Sequence, residues 1–399
     1  MKEVILRGIT LDNGGSEVRV LPLGNHVPGG LLTIPSEFYE ISEKNFRIKD
    51  VEDPKSLCVF KKAPNPEYLG IMASGLTGRA FIGTSIMLNS QEKKTSSLNY
   101  YKQFLFSVAR DAINAYTEDQ YYNTSNAQVE TKGLFARRVN VSKQEYRYVI
   151  VTCIPIIEFS GNEDCAKKLK ASIEGVYEVE YPLVEGSPRL TFVIDSRYVG
   201  VTPEGGVAVT GLKRELGQED ISLVVDMGHI TTDISLFQGT HLLGKVRSSL
   251  YAGNMLVGEV RNALEAEGFR LSDDQTKRVI ETGIAKRGTQ EINVSRLVDE
   301  QKVAFVKNYL KPEVIQVLNR NALNAGQVQY FVPIGAPMQD IGRNSVRQAI
   351  IDNCGLEHAT VKNAAGSTKY ANIIAASIFT EKIYRMAEKA LKAEAEGIV

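Results

Sequence analysis

This chain of 399 residues has few cysteines, few histidines, no excess of charge and no long apolar run. Its four cysteines, Cys58, Cys153, Cys165 and Cys354, include no Cys-x-x-Cys pair, which speaks against a redox motif or a zinc ribbon. The four histidines, His26, His229, His241 and His358, fit no zinc spacing either, so no structural zinc is expected. Lys and Arg together number 47, equal to Asp and Glu, so the chain lacks the basic footprint that naked nucleic acid demands; a local basic patch stays open. No stretch approaches the ~18–20 apolar residues of a membrane span, and Met1 to Arg7 carries no signal-peptide core. These absences predict a cytosolic protein with reduced thiols, no membrane partner and no direct nucleic-acid partner.

What is present starts with length, which is enough for two domains with a sizeable core. A hydrophobic share of 43% and a charged share of 24% are those of an ordinary folded protein. The most informative local feature occurs twice. Ile9-Thr10-Leu11-Asp12-Asn13-Gly14-Gly15-Ser16-Glu17-Val18-Arg19-Val20 reads as strand, acidic residue, glycine turn, strand. Leu223-Val224-Val225-Asp226-Met227-Gly228-His229-Ile230-Thr231-Thr232-Asp233-Ile234 reads the same way.

Around these turns the pattern alternates between strands and helices. The first 36 residues read as a β-meander whose third strand ends at Pro35. Residues 37–90, with Pro54, Pro64, Pro66 and a glycine-rich stretch, read as an irregular insertion. Leu98, Tyr101, Leu105, Val108, Ala112 and Tyr116 recur at helical spacing. Residues 146–155 form a near-continuous apolar run, the mark of a strand buried on both faces. A helix is expected at 165–174 and a strand at 176–184. The second hairpin opens a strand block at 221–246, followed by helices at 255–266, 272–281 and 299–321, the last interrupted by Pro312. A strand at 328–334, a helix near 345–353 and a helix-rich end complete the chain. The architecture repeats: meander, then helices and further strands, twice.

An acidic glycine turn can serve phosphate chemistry. Backbone N–H groups must approach phosphate oxygens, and Gly14, Gly15 and Gly228 permit the close approach and positive-φ geometry that requires. Asp12 and Asp226 are then candidates for Mg²⁺, which takes one or two carboxylates plus phosphate oxygens. Hydroxyls of Ser16, Thr231 and Thr232 can donate to phosphate or position water. Taken singly, each turn reads more readily as a plain hairpin, because Asp and Gly are the usual turn residues, and Asp340-Ile341-Gly342 fits the same tripeptide. Strand context and duplication favour the phosphate reading.

These residues resemble a family. Leu11-Asp12-Asn13-Gly14-Gly15-Ser16 is similar to the first phosphate motif of the actin, sugar-kinase and heat-shock-chaperone superfamily, and Asp226 to Ile234 is similar to its second. Val151-Thr152-Cys153-Ile154-Pro155 resembles the first connecting motif, Phe331-Val332-Pro333-Ile334-Gly335-Ala336-Pro337 the adenosine motif, and Lys369-Tyr370-Ala371-Asn372-Ile373-Ile374-Ala375 the second connecting helix. The Ala-Asn pair in that helix is similar to bacterial actins of the plasmid-segregation (ParM-like, Alp-like) group.

The resemblance implies an α/β, actin-like (ribonuclease-H-like) fold of two domains, each a mixed five-stranded sheet with flanking helices, with nucleotide in the interdomain cleft. The domains would be 1–205, with an insertion at about 37–90, and 206–399, with an insertion at about 262–325 and a C-terminal helix 369–396 returning toward the first. It implies ATP with Mg²⁺, GTP being the alternative, held by Asp12, Asn13, Gly14, Gly15, Ser16, Gly228, His229, Thr231, Thr232, Gly253, Asn254, Gly335 and Ala336. Asp12 and Asp226 would hold the metal. Glu204, in Val201-Thr202-Pro203-Glu204-Gly205-Gly206-Val207, falls where bacterial actins carry the glutamate that orients water, a role a carboxylate can fill. Three residues depart from the pattern. His229 stands where relatives have a small or acidic residue, either near the γ-phosphate or as a histidine at the loop edge. Ile334 and Pro337 thin the glycine run of the adenosine motif.

Three classes share such a clamp. A small-molecule kinase needs an acid–base or sugar-binding motif that 37–90 does not show. A chaperone needs a further domain, for which Val399 comes too early. A filament-forming ATPase needs only the clamp. The implied function is therefore head-to-tail polymerisation with ATP and decay after hydrolysis, serving plasmid DNA segregation through a DNA-binding adaptor. A sugar- or acetate-type kinase and a non-segregation cytoskeletal actin are the alternatives.

Overall fold

Aliphatic and β-branched residues dominate Glu3–Asn13, and the polar cluster after them turns the chain back. That segment is β1 of a computed structural model describing residues 3–14, 17–25, 27, 29–42, 56–75, 84–86, 94–125, 144–161, 164–180, 189–339 and 345–396. Gly15, Ser16 and the Asp340-Ile341-Gly342 tripeptide lie outside the described residues. The contacts divide the chain into two units, the first of 1–154, 162–202 and 376–399, the second of 155–161 and 203–375.

In the first unit β1 pairs antiparallel with β2 (Glu17–Pro22), and β2 with β3 (Leu32–Pro35), forming the expected meander. β4 (Phe38–Ile41), β5 (Leu57–Lys62), β6 (Gly70–Ser74) and β7 (Thr84–Ile86) follow. The described part of 37–90 is therefore not irregular. Their prolines and glycines punctuate short strands: Pro64 and Pro66 stand in the β5–β6 connection, and Ile41, Leu57, Val59, Ile71 and Ala73 form a small core of their own. β8 (Gln144–Ile154) runs parallel to β1 along ten register pairs, and its apolar run is buried as expected. β9 (Gly175–Glu180) and β10 (Arg189–Pro203) complete a sheet ordered β3-β2-β1-β8-β10-β9-β5-β6-β4-β7.

Helix Leu98–Ser125 packs Tyr100, Phe104, Leu105, Val108 and Ala112 against this sheet. Arg7 on β1 makes a bidentate pair with the buried Asp111 of that helix at 2.7 and 3.0 Å, and Tyr148 on β8 donates to the same carboxylate at 2.8 Å. Residues 376–395 of helix Ala371–Ala395 also lie in this unit; the Thr10 and Thr380 hydroxyls meet at 2.6 Å, and Tyr384 donates to the Leu6 carbonyl.

The second unit builds the same order from different residues. β11 (Ile221–Met227), β12 (Thr232–Gln238) and β13 (His241–Ser249) form an antiparallel meander. A separate hairpin, β14 (Ile284–Arg287) with β15 (Gln290–Asn293), went unread in the sequence because its strands are short and mostly exposed. β16 (Tyr330–Ile334) lies parallel to β11, and β17 (Thr360–Val361) parallel to β16. The sheet runs β13-β12-β11-β16-β17: third, second, first, then two later strands, as in β3-β2-β1-β8-β10. The first unit adds five further strands to that plan. Pro312 does not break its helix: a π-helical turn at Val306–Leu310 passes into Lys311–Arg320, absorbing the missing N–H.

The four cysteines are all free and buried, and burial pushes the Cys58 thiol up to about 12 and Cys354 to about 11, so both behave as small apolar residues. Among the described residues no helix is long and apolar enough to cross a membrane.

Candidate functional site: two acidic hairpins

The two Asp-x-Gly turns are built in one register. In the first, Asp12 faces Arg19 across β1–β2, Asn13 faces Val18, and the Gly14 N–H donates to the Glu17 carbonyl at 3.1 Å. In the second, Asp226 faces Asp233 across β11–β12, Met227 faces Thr232, and the Gly228 N–H donates to the Thr231 carbonyl at 2.9 Å. A Cβ on Gly14 would come within 3.0 Å of Glu17 O, and one on Gly228 within 3.1 Å of Thr231 O. This corrects part of the expected chemistry. Gly14 and Gly228 are not in the positive-φ region, and their amides close the hairpins instead of pointing at a ligand. The tight closure of both hairpins favours glycine at these two positions.

The surroundings of the two aspartates differ. Arg19 Nη1 lies 3.2 Å from Asp12 and Nη2 2.6 Å from Glu17, with the arginine and Asp12 side chains 15% and 13% exposed. Lys94, just before helix Leu98–Ser125, donates to the Asn13 carbonyl at 3.0 Å. The Asn13 carboxamide is fully buried, and among the described residues neither its Oδ1 nor its Nδ2 has a hydrogen-bond partner; the buried Thr152 hydroxyl, opposite Leu11 on β8, has none among them either. Buried polar atoms left unsatisfied cost roughly 1–3 kcal/mol each, so these groups can accept a further polar partner.

At the second hairpin Asp226 is half-buried and accepts a hydrogen bond from Asn372 Nδ2 at 2.9 Å. The Asn372 Oδ1 in turn accepts from the Gly205 N–H at 2.9 Å. Gly205 follows Glu204 in a tight turn with φ +68°, in which the Gly206 N–H donates to the Glu204 carbonyl at 2.7 Å. Three segments that the sequence ordered along the chain, at 204, 226 and 372, are thus brought together.

Helix Gly253–Ala266 is docked on the hairpin: the Gly253 and Asn254 amides donate to the Gly228 and His229 carbonyls at 3.0 and 2.8 Å. Thr232 is buried and gives its hydroxyl to the Tyr251 carbonyl at 2.7 Å, whereas Thr231 stands half-buried at the turn. Gly335 has φ +100°, and a Cβ there would fall 2.1 Å from the Met227 carbonyl, so the end of β16 closes on the end of β11 only because this residue is glycine. Ala336, next to it, is exposed. Glu259 accepts from Tyr309, and Arg261 pairs with Asp273.

His229 is half-buried. Burial, assisted by Lys277 and opposed by Asp273 and Asp274, lowers its pKa below the ordinary 6.5. The imidazole is therefore neutral near pH 7, which weighs against an imidazolium stabilising phosphate charge.

Sequence reasoning missed three of these groups. Arg19 and Asp233 were legible in principle: once Gly14 closes on Glu17 and Gly228 on Thr231, counting back along the ladder sets each opposite its aspartate. Lys94 reaches the turn from far along the chain, and no local pattern signals it. Among the described residues no group of three or more His, Cys, Asp or Glu side chains forms a metal cage, a finding that leaves room for a cation shared with a ligand's oxygens.

No family model and no curated protein matches the chain. Solved structures do. The actin-like protein Alp7A aligns over 98% of this chain and 100% of its own, with a TM-score of 0.70 and 15% identity. A non-polymerisable quadruple mutant of pCBH ParM aligns over 94% and 99%, with a TM-score of 0.56 and 12% identity. Bacillus thuringiensis ParM with ATP aligns over 94% and 98%, with a TM-score of 0.57 and 13% identity. At these identities the likeness defines the architecture: the chain has the actin-like α/β fold over nearly its whole length.

Proposed function

We propose that this chain is an actin-like ATPase that binds ATP with Mg²⁺ and assembles with copies of itself into a filament. The observation that carries the reading is the hairpin built twice in one register, each with a partly or fully buried aspartate at the same place and a glycine-closed turn. The fold likeness to a ParM solved with ATP supports the ligand, and the likeness to a ParM with a non-polymerisable mutant supports assembly.

The residues divide the work by charge. Asp12 already has Arg19 as a counter-ion, so the first hairpin suits phosphate, with Arg19 as its cation and Asn13 as its polar neighbour. Asp226 has a neutral amide donor and faces a second carboxylate, so the second hairpin suits Mg²⁺. When bound, Mg²⁺ neutralises phosphate charge. Glu204 orients the attacking water, and Gly228 with the tip of its hairpin allows close approach of phosphate. Gly335 and Ala336 flank the base. In this reading the γ-phosphate favours the assembling conformation, and its loss weakens contacts between copies. Unlike surfaces meeting head to tail grow an open filament, which would move plasmid DNA through a DNA-binding adaptor.

Light scattering and sedimentation with ATP, ADP and GTP test this. Polymer should form with ATP and Mg²⁺ and decay as phosphate is released. A persistent monomer that turns over ATP only when a sugar or acetate is added would establish the kinase instead.

A further inference from the structure

The bridge made by Asn372 does more than mark a motif. Its side chain is buried, 8% exposed, in the first turn of helix Ala371–Ala395, where the helix dipole favours a nearby carboxylate. Its oxygen accepts from Gly205 N at 2.9 Å, and its nitrogen donates to Asp226 Oδ2 at 2.9 Å. A carboxamide of this length does both. A carboxylate keeps the acceptor and loses the donor; a hydroxyl is too short to span the two; an ammonium cannot accept. The two hydrogen bonds also set which way the amide faces, because the reverse orientation would oppose N–H to N–H on one side and oxygen to oxygen on the other.

The Gly205 amide is held by Asn372 while the Glu204 carbonyl is held by Gly206 N at 2.7 Å, so the peptide plane that follows Glu204 is fixed through both its N–H and its C=O. The carboxylate on the other arm of the bridge is Asp226. We propose that Asn372 is a positioning residue that sets the Glu204 turn and the Asp226 carboxylate in one geometry, coupling the group that orients water to the group that holds the cation. This rests on the ATPase reading given above. It adds that cation occupancy and water positioning depend on one side chain that touches neither.

The test uses the full chain with three substitutions. Asn372→Asp retains the acceptor and places a negative charge against Asp226. Asn372→Leu, of similar size, removes both bonds, and Asn372→Gln restores both groups on a longer arm. Without nucleotide or metal, hydrogen exchange at the Gly205 amide should speed about tenfold or more in Asn372→Leu and stay slow in Asn372→Asp. With ATP, both Asp and Leu variants should need about 10–100 times more Mg²⁺, and Mn²⁺ binding followed by electron paramagnetic resonance should weaken in step. The kcat should fall while the KM for ATP at saturating Mg²⁺ moves little, and Asn372→Gln should recover part of the loss. If Gly205 exchange is unchanged in Asn372→Leu, or Mg²⁺ dependence is unchanged in Asn372→Asp, the coupling is wrong. A variant that fails to fold leaves the judgement to Asn372→Gln, whose Mg²⁺ dependence must lie nearer wild type than that of whichever other variant folds. A wild-type chain that never binds Mg²⁺ with ATP, yet shows the Gly205 effect, overturns the ATPase reading and not the bridge.

Discussion

The two hairpins share a backbone and differ in charge. Each sets an aspartate seven residues before its cross-strand partner and closes on a glycine amide, yet the partner is Arg19 in one and Asp233 in the other. Duplicated geometry with divergent electrostatics teaches that the backbone plan does not assign the roles. An aspartate paired with an arginine is spent as a counter-ion; an aspartate held by a neutral amide opposite another carboxylate gains from a divalent cation. The symmetric expectation, with Asp12 and Asp226 both on the metal, thus gives way to an asymmetric proposal.

The largest expected effect breaks that comparison directly. Asp226→Asn should lower ATP turnover about 100-fold, the several kcal/mol a bound cation contributes, and should raise the Mg²⁺ requirement. Asp12→Asn should leave the Mg²⁺ half-saturation within about twofold of wild type, because Asp12 already has Arg19 as its counter-ion. Equal shifts in the two variants, measured by Mg²⁺ titration of phosphate release, would restore the symmetric assignment.

A step smaller is the arginine itself. Arg19→Met should weaken nucleotide binding about tenfold, in line with the roughly 1.5–3 kcal/mol of a charge-assisted hydrogen bond, and raised salt should narrow the gap. Asp233→Asn should leave metal-free nucleotide affinity unchanged, since that residue belongs to the cation side. Calorimetric titration with and without chelator separates the two.

Much of this was readable from sequence, and the limits have physical causes. The meanders, the β8 strand and the helices at 98–125 and 371–395 follow from periodicity and turn residues, which act locally. Strands β4 to β7 did not, because they are short and the segment that carries them is interrupted by proline and glycine. Asp12 and Asp226 were found as residue types at turns and Glu204 through the resemblance, but Arg19 needed the register and Lys94 the tertiary fold. The positive φ expected of Gly14 and Gly228 is not found, for a related reason: sequence shows that a glycine is favoured, not whether φ or closeness favours it. Here closeness does, at 3.0 and 3.1 Å.

That distinction yields a prediction in stability. Gly14→Ala and Gly228→Ala meet similar contacts and should cost similar amounts, within about 0.5 kcal/mol of each other. Gly335→Ala combines φ +100° with a 2.1 Å clash against the Met227 carbonyl, so it should cost more than either, above about 1 kcal/mol. Denaturant unfolding of the three variants ranks them. A Gly335→Ala protein as stable as the other two would mean that β16 does not brace the second hairpin.

The smallest effect belongs to His229, which has no counterpart in the first hairpin, where Gly15 takes its place after Gly14. Burial first, then Lys277, lowers its folded pKa below the 6.5 of the free side chain, against the pull of Asp273 and Asp274. The unfolded chain therefore binds the proton more readily. The stabilisation is fully present above pH 6.5 and is lost as pH falls from there through the folded value. His229→Asn should flatten the stability profile in that acid window and leave it unchanged above pH 7. Lys277→Met should shrink the loss and end it at higher pH, because it removes a charge that opposes protonation, while Asp273→Asn should deepen the loss and carry it to lower pH. If His229→Asn instead lowers ATP turnover at pH 7.5 with stability unaltered, the histidine acts on the phosphate in its neutral form, and the tip of the second hairpin is a donor site as well as a turn.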